Sequence, residues 1–428
     1  MSTSAASNSF PDSGNVSRSV LPDGTILLVR ENPVSPAVVV QGAVLAGAVD
    51  DPPDRPGLCR FTAECLTRGT QQRSAAELYE LVESVGGSLG VGACLHTIRF
   101  GAKCLSDDLQ MIVELVSEVL HSPSFPAMEI EKVRGEIITE LEERDNDTRS
   151  VTDLAFRKLA YPENHPYSRP ADGEKETVAG FTRDDVQHFF HSLVRQRPAI
   201  ISVVGNLRKD AVEKLFVPLW SMNARTADPA PLPECARPDG RRETYRVIPG
   251  KVQVDLAWGT IGPPRNHPDF VPASVANLIL GGFGLMGRLG QKVREELGLA
   301  YYAASRVNAG LGAGPWVCVA GVAAEHYREA VSAIEKEVAS LRETPVPEDE
   351  LEDCKSHLIG SLPLKLESNE GVASIMSEIE IYRLGWDYLH RFADLVNAVT
   401  AEDIRRVIRA YFEPDRAVLA GSGPEVPE

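Results

Sequence analysis

Three charged side chains in the first third of the chain could act on one another. Arg60 and Glu64 stand four apart in the stretch from Gly57 to Thr70. On a helix that spacing brings a guanidinium and a carboxylate onto one face. Glu140 follows an apolar row, Ile130, Val133, Ile137 and Leu141, with helical spacing. It is seven residues past Val133, so it is expected to share that face, where a carboxylate needs a partner. Arg60 carries a permanent charge and could be that partner. The alternative is that Arg60 points to solvent. Ala63 lies among these residues and has no group to take a proton.

Other groups carry less chemistry. Cys59 and Cys65 flank Glu64 but are six apart, a poor helical match for a metal site; they are expected to be buried thiols. His188 and His191 enclose Phe189 and Phe190 with no acid nearby, which reads as a packing helix. Gly282-Phe283-Gly284-Leu285-Met286-Gly287 spells G-x-G-x-x-G, but Pro272–Leu280 before it reads as helix and position 307 is Val. Both features argue against a dinucleotide site. Trp220, Trp258, Trp316 and Trp386 read as core and His267 as a turn residue.

The elements that hold these residues follow from local signals. Residues 1–19 read as a flexible tail, Ser- and Asn-rich at the start, without an apolar core that would make a signal peptide. Pro22-Asp23-Gly24 leads into a strand near Thr25–Val29, and a second at Ala37–Ala46 is expected to pair with it as a hairpin. Ser74 and Glu77 form a capping box for a helix that stops at Gly86-Gly87. A strand is expected over His96–Leu105, a helix over Asp107–Leu120, and a long helix from Pro126 that carries Glu140.

Three landmarks then recur. Thr182 and Thr400 open similar helices, Gly205 and Gly421 close the strands that follow, and Pro126 resembles Pro347 in context; the offsets are 218, 216 and 221 residues. This implies a duplication, with domains at 20–224 and 244–428 and a proline-rich linker at 225–243.

The 428 residues carry a net charge of −17, with pI about 5.1. That balance argues against non-specific nucleic-acid binding. No apolar run reaches membrane-spanning length, and seven scattered cysteines without a C-x-x-C pair suit a reducing compartment. Cytoplasmic residence is the expectation.

The run from Gly57 to Thr70 resembles the zinc-site helix of the pitrilysin/insulinase metallopeptidases, the inverzincins, which reads roughly G-L-A-H-F-L-E-H-M-L-F-K-G-T. Gly57, Leu58, Phe61, Leu66, Gly69 and Thr70 match, and Arg68 replaces a Lys. The family's two histidines fall on Arg60 and Glu64, its glutamate base falls on Ala63, and its third ligand falls on Glu140. H-x-x-E-H binds zinc through two His on one helix face while the Glu activates the metal-bound water. A guanidinium cannot ligate a cation, so Arg60 is expected to stand where zinc would be, paired with Glu140 or Glu64.

The resemblance runs from about Val20 to about Gly423. It implies an α+β fold of two homologous domains, each a mostly antiparallel sheet with helices on one face, forming a clamshell as in the mitochondrial-processing-peptidase-like branch. In the second half, the run from Gly281 to Tyr301 is similar to the family's G-G-x-x-x-S-R-L…R-x-x-x-G-L-A-Y. By that resemblance Arg294 and Tyr301 hold substrate; a guanidinium fork suits a peptide carbonyl and a phenol suits an oxyanion. If Tyr301 and Tyr302 lie on a strand, only one of them faces the chamber. The resemblance thus implies a non-catalytic subunit that holds no cofactor of its own and pairs with a homologous subunit bearing H-x-x-E-H and zinc, with a peptide as substrate. The alternative is a scaffolding or peptide-binding homologue with no proteolytic role.

Overall fold

The computed structural model describes residues 10–220, 229 and 231–427. Residues 1–9 of the expected tail, and 225–228 and 230 of the expected linker, lie outside them. The chain forms two compact units. One unites Met1–Leu141, Pro170–Pro231 and Pro363–His390; the other unites Glu142–Arg169, Leu232–Leu362 and Arg391–Glu428. Each unit therefore includes a segment from the far side of the expected boundary at 225–243.

The first unit is built on a six-stranded sheet of β1 (Ser17–Val20), β2 (Ile26–Glu31), β3 (Ala37–Val44), β4 (Ser88–Ala93), β5 (Ile98–Leu105) and β6 (Ala199–Gly205), in the order β1-β2-β6-β3-β5-β4. The expected hairpin between the second and third strands does not form, because β6 lies between them, parallel to β2 and antiparallel to β3. Leu27, Leu28 and Val29 are all buried, so β2 is covered on both faces, the pattern of a strand inside a sheet. The Asp23-Gly24 turn instead closes a hairpin with β1, where Asp23 accepts from the Thr25 amide at 2.9 Å. Ser17–Val20 is thus an edge strand rather than tail.

Helices lie on both faces of this sheet, the second layer contributed by the Asn369–Ile381 helix. Leu27, Val29, Val38, Val40, Ile201 and Val203 face one core, shared with Ile112, Val116, Val133 and Ile137. Alternate residues Leu28, Val39, Ala43, Ile200 and Val204 face a second core with Val372, Ala373, Met376 and Ile381 of the Asn369–Ile381 helix.

The second unit contains β7 (Arg242–Val247), β8 (Gln253–Ile261), β9 (Ala300–Val307), β10 (Pro315–Ala323) and β11 (Val418–Gly423), in the order β7-β11-β8-β10-β9, with only β7 and β11 parallel. Val254, Leu256, Trp258, Trp316 and Leu419 form its core with Ile404, Val407 and Ile408. The Thr148–Ala160 helix packs on β8 and β11 through polar groups. Buried Asp255 accepts from the hydroxyls of Thr148 and Tyr302, and Ser422 donates to the Thr148 carbonyl at 2.7 Å.

The duplication appears in local geometry. The Thr182 and Thr400 hydroxyls accept from the Asp185 and Asp403 amides at 3.2 and 3.1 Å, closing matched capping boxes. The strand-end glycines that correspond are Gly205 and Gly423, not Gly421. Their φ values are 153° and 156°, and an added Cβ would lie 2.7 and 2.8 Å from the Cα of Val38 and Val254. Among the described residues no helix is long and apolar enough to cross a membrane.

Candidate functional site

The helix Leu58–Cys65 begins at Gly57, whose φ of 94° suits glycine. Asp51 fixes its start by accepting from the amides of Gly57 and Cys59, both at 2.7 Å. Leu58, Cys59, Phe61, Thr62, Ala63 and Cys65 are buried, and Arg60 and Glu64 occupy the remaining face. Arg60 donates through Nε to Glu64 at 2.8 Å and through Nη2 to Glu140. The expected pairing is therefore present to both carboxylates, and Arg60 does not point freely to solvent; its side chain is 16% exposed.

Glu140 lies differently from its expected place. It sits at the margin of the buried row on the Ala127–Asn146 helix, with 59% of its side chain exposed, while Ile130, Val133, Ile137 and Leu141 form the buried face. A second pair that spacing did not reveal, Arg68 with Glu136 at 2.5 Å, runs beside the first. Glu136 is one helical turn before Glu140, which is the signal that could have found it.

Burial is the largest influence on both members of the Arg60–Glu64 pair. For Arg60 it opposes the charge, but the hydrogen bond to Glu64 and the charges of Glu64, Asp172 and Glu140 outweigh it. For Glu64 burial raises the pKa, and the Glu140 and Glu136 charges add to that, against the pull of Arg60. The guanidinium thus stays charged in a site whose carboxylates outnumber it.

This donor set does not fit zinc. The two imidazoles are replaced by a cation and a carboxylate already bound to that cation, and Ala63, fully buried, offers no base. Among the described residues no group of three or more His, Cys, Asp or Glu is arranged to hold a metal ion. The Cys59 and Cys65 thiols are buried, which pushes Cys65 up to about 12 and disfavours the ligating thiolate. Cys104, Cys318 and Cys354 are buried too, whereas Cys94 is exposed. His188 and His191 are exposed beside buried Phe189 and Phe190.

In the second unit, the Phe270–Asn277 helix leads into the glycine loop. Leu285 and Met286 are exposed on it, and Gly281 lies so close to β9 that a Cβ would meet the Ser305 amide at 2.7 Å. The π-helical segment Gly290–Glu296 carries Arg294, which is 43% exposed with Glu295 at 3.6 Å. Gly298, with φ of 65°, turns the chain into β9, where successive side chains diverge. Tyr301 is 67% exposed. Tyr302 turns the other way and donates to Asp255, with the Arg149 guanidinium 4.4 Å from its ring centre. Burial and that carboxylate push the Tyr302 phenol up, so it remains a donor. Trp220, Trp258 and Trp316 are core residues, while Trp386 is half-buried and donates to Glu380 at 3.0 Å.

Known proteins share this fold. A Bacillus subtilis (strain 168) protein named uncharacterized zinc protease YmxG is 25% identical over 407 residues, covering 94% of this chain and 97% of that one. A Helicobacter pylori (strain ATCC 700392 / 26695) protein named non-peptidase homolog YmxG is 23% identical over 402 residues, covering 90% and 89%. The crystal structure of a peptidase M16 inactive domain from Pseudomonas fluorescens superposes with a TM-score of 0.89 at 23% identity, covering 97% of this chain and 99% of that one. Residues 26–169 match the family described as Insulinase (Peptidase family M16), and residues 180–358 match the Peptidase M16 inactive domain. With most of its length matched by these two descriptions of one family, the chain belongs to the insulinase family of peptidases, M16.

Proposed function

We propose that this chain is the non-catalytic subunit of a two-chain metallopeptidase. The observation that carries the reading is the Arg60 guanidinium, held by Glu64 and Glu140; by the family resemblance these positions correspond to the zinc site. Such a cation bridges the Glu64 and Glu140 carboxylates and keeps the helix frame without chemistry. Arg294 and Tyr301, both accessible, would supply a carbonyl clamp and an oxyanion donor to a peptide. A homologous partner with H-x-x-E-H would bring zinc and the base. Because the site would be split, partner docking would be part of assembling it. Residence would be cytoplasmic, in keeping with its free thiols.

The test is peptidase activity on a quenched peptide library. The chain is assayed alone, mixed with an H-x-x-E-H-bearing homologue, and mixed after the Arg294→Ala/Tyr301→Phe double substitution. Activity only in the unsubstituted mixture is the expected result. No gain on mixing and no stable complex would overturn the proposal and leave a scaffolding or peptide-binding homologue.

A further inference from the structure

Within the first unit, the Asn369–Ile381 helix covers β6 and β3 but leaves a gap over β3 and β5. A cavity of about 280 Å3 opens there. Its two walls follow from two periodicities. Gln41 and Ala43 on β3 and Arg99 and Gly101 on β5 share one sheet face, with Gln41 opposite Gly101 and Ala43 opposite Arg99. Ser374, Ser377, Glu378 and Ile381 recur at i, i+3, i+4 and i+7, one stripe of the helix. The sheet floor is open because Gly101 has no side chain; a Cβ there would meet only Gln41 Cγ, at 3.9 Å.

The polar groups of this cavity are incompletely used. Ser377 is bonded to Ser202 at 2.9 Å. Among the described residues, however, neither the Arg99 guanidinium nor the Glu378 carboxylate has a side-chain partner, although both line the one cavity. One cation and one anion line the same space, together with Ile381, Ala43 and the Gly42 and Gly101 backbone.

We propose that this cavity binds a small zwitterion of the α-amino-acid or dipeptide class, with its carboxylate on Arg99 and its ammonium on Glu378. The chemistry narrows the choice. A divalent cation would find one carboxylate and an opposing guanidinium. A phosphate dianion would find one guanidinium and an opposing carboxylate. A molecule with both charges at its ends satisfies both residues and leaves an apolar body for Ile381. None of these residues belongs to the Arg60 or Arg294 regions, so the proposal stands apart from the peptidase reading.

The experiment screens the free amino acids and a dipeptide set against the full chain by saturation-transfer NMR, followed by calorimetric titration of each hit. Variants are Arg99→Gln, Glu378→Gln and Gly101→Leu, each checked by thermal melting. Gly101→Leu fills the floor without displacing a neighbour at Cβ. The expected result is saturable binding of at least one zwitterion, weakened at least tenfold by each charge-removing variant and abolished by Gly101→Leu. The N-acetylated and methyl-ester forms of the hit should each bind at least tenfold more weakly. Absence of any hit, binding that survives Gly101→Leu, or equal binding of the N-acetylated form would overturn it.

Discussion

At the scale of single residues, Arg60 is the informative group. It satisfies two carboxylates at once, and its removal leaves Glu64, three-quarters buried, facing Glu140 and Glu136. Breaking a partly buried pair by deleting one member is costly because the other charge stays behind. Arg60→Ala should therefore destabilise the protein by about 1–3 kcal/mol, read as a lower urea midpoint. An unchanged midpoint would mean the guanidinium contributes nothing. The pH dependence has a definite sign. Glu64 has a folded pKa above its ordinary 4.5, so the fold favours its protonated form. Its contribution is full below that ordinary value and is lost as pH rises through the raised one. Glu64→Gln should remove that decline, and stability profiles from acidic to neutral pH should be flatter than in the parent chain. The Arg60–Glu64 pair was legible in the sequence because helix spacing transmits it. The Arg68–Glu136 pair was not, since Arg68 lies past the end of the Leu58–Cys65 helix, where that spacing no longer holds.

At the scale of elements, capping chemistry was the best-read signal. Ser74 closes the capping box its sequence implies, and Thr182 and Thr400 open their helices where expected, each with a capping box of its own. Strand pairing was read less well, because pairing partners are chosen across the sheet. β4 was missed outright: Leu89-Gly90-Val91-Gly92 offers little β-propensity, and the strand exists because β5 provides its ladder. Gly205 and Gly423 end the strands β6 and β11 at positive φ, tight against the Ala37 and Gln253 carbonyls at 2.4 and 2.6 Å from an added Cβ. Alanine at either position meets both a disfavoured conformation and a backbone clash. Gly205→Ala and Gly423→Ala should each cost more than about 2 kcal/mol, with faster amide exchange confined first to the affected unit. Gly421→Ala serves as a contrast, since the nearest atoms to its Cβ would belong to the Tyr245 and Tyr327 side chains, at 2.9–3.0 Å, rather than to backbone. Equal effects at Gly421 and Gly423 would undo the assignment of Gly423 as the counterpart of Gly205.

At the scale of the whole molecule, the chain is interleaved in a way that duplication alone does not reveal. The repeat offsets indicate two similar halves, but they say nothing of where Glu142–Arg169 and Pro363–His390 dock, because docking depends on sheet faces far away in sequence. The first unit buries Val39, Ala43, Ile200 and Val204 under Val372, Ala373, Met376 and Ile381. Full burial of such side chains contributes about 1.5–3 kcal/mol each for the larger ones, so losing the Asn369–Ile381 helix removes a sum comparable with the net stability of a domain, about 5–15 kcal/mol. The second unit depends on the Thr148–Ala160 helix in a different way: without Thr148, buried Asp255 loses one of its donors and Ser422 its acceptor. Cutting the chain at the expected linker should therefore fail as a way to isolate domains. Fragment 1–224 expressed alone should expose the apolar sheet face, bind a hydrophobic dye and unfold without cooperativity, and fragment 244–428 should behave likewise. Co-expressed, the two should co-purify and regain a cooperative transition, since each carries the segment the other's sheet requires. Two fragments that are each monodisperse and cooperative in isolation would show that the crossing segments are dispensable.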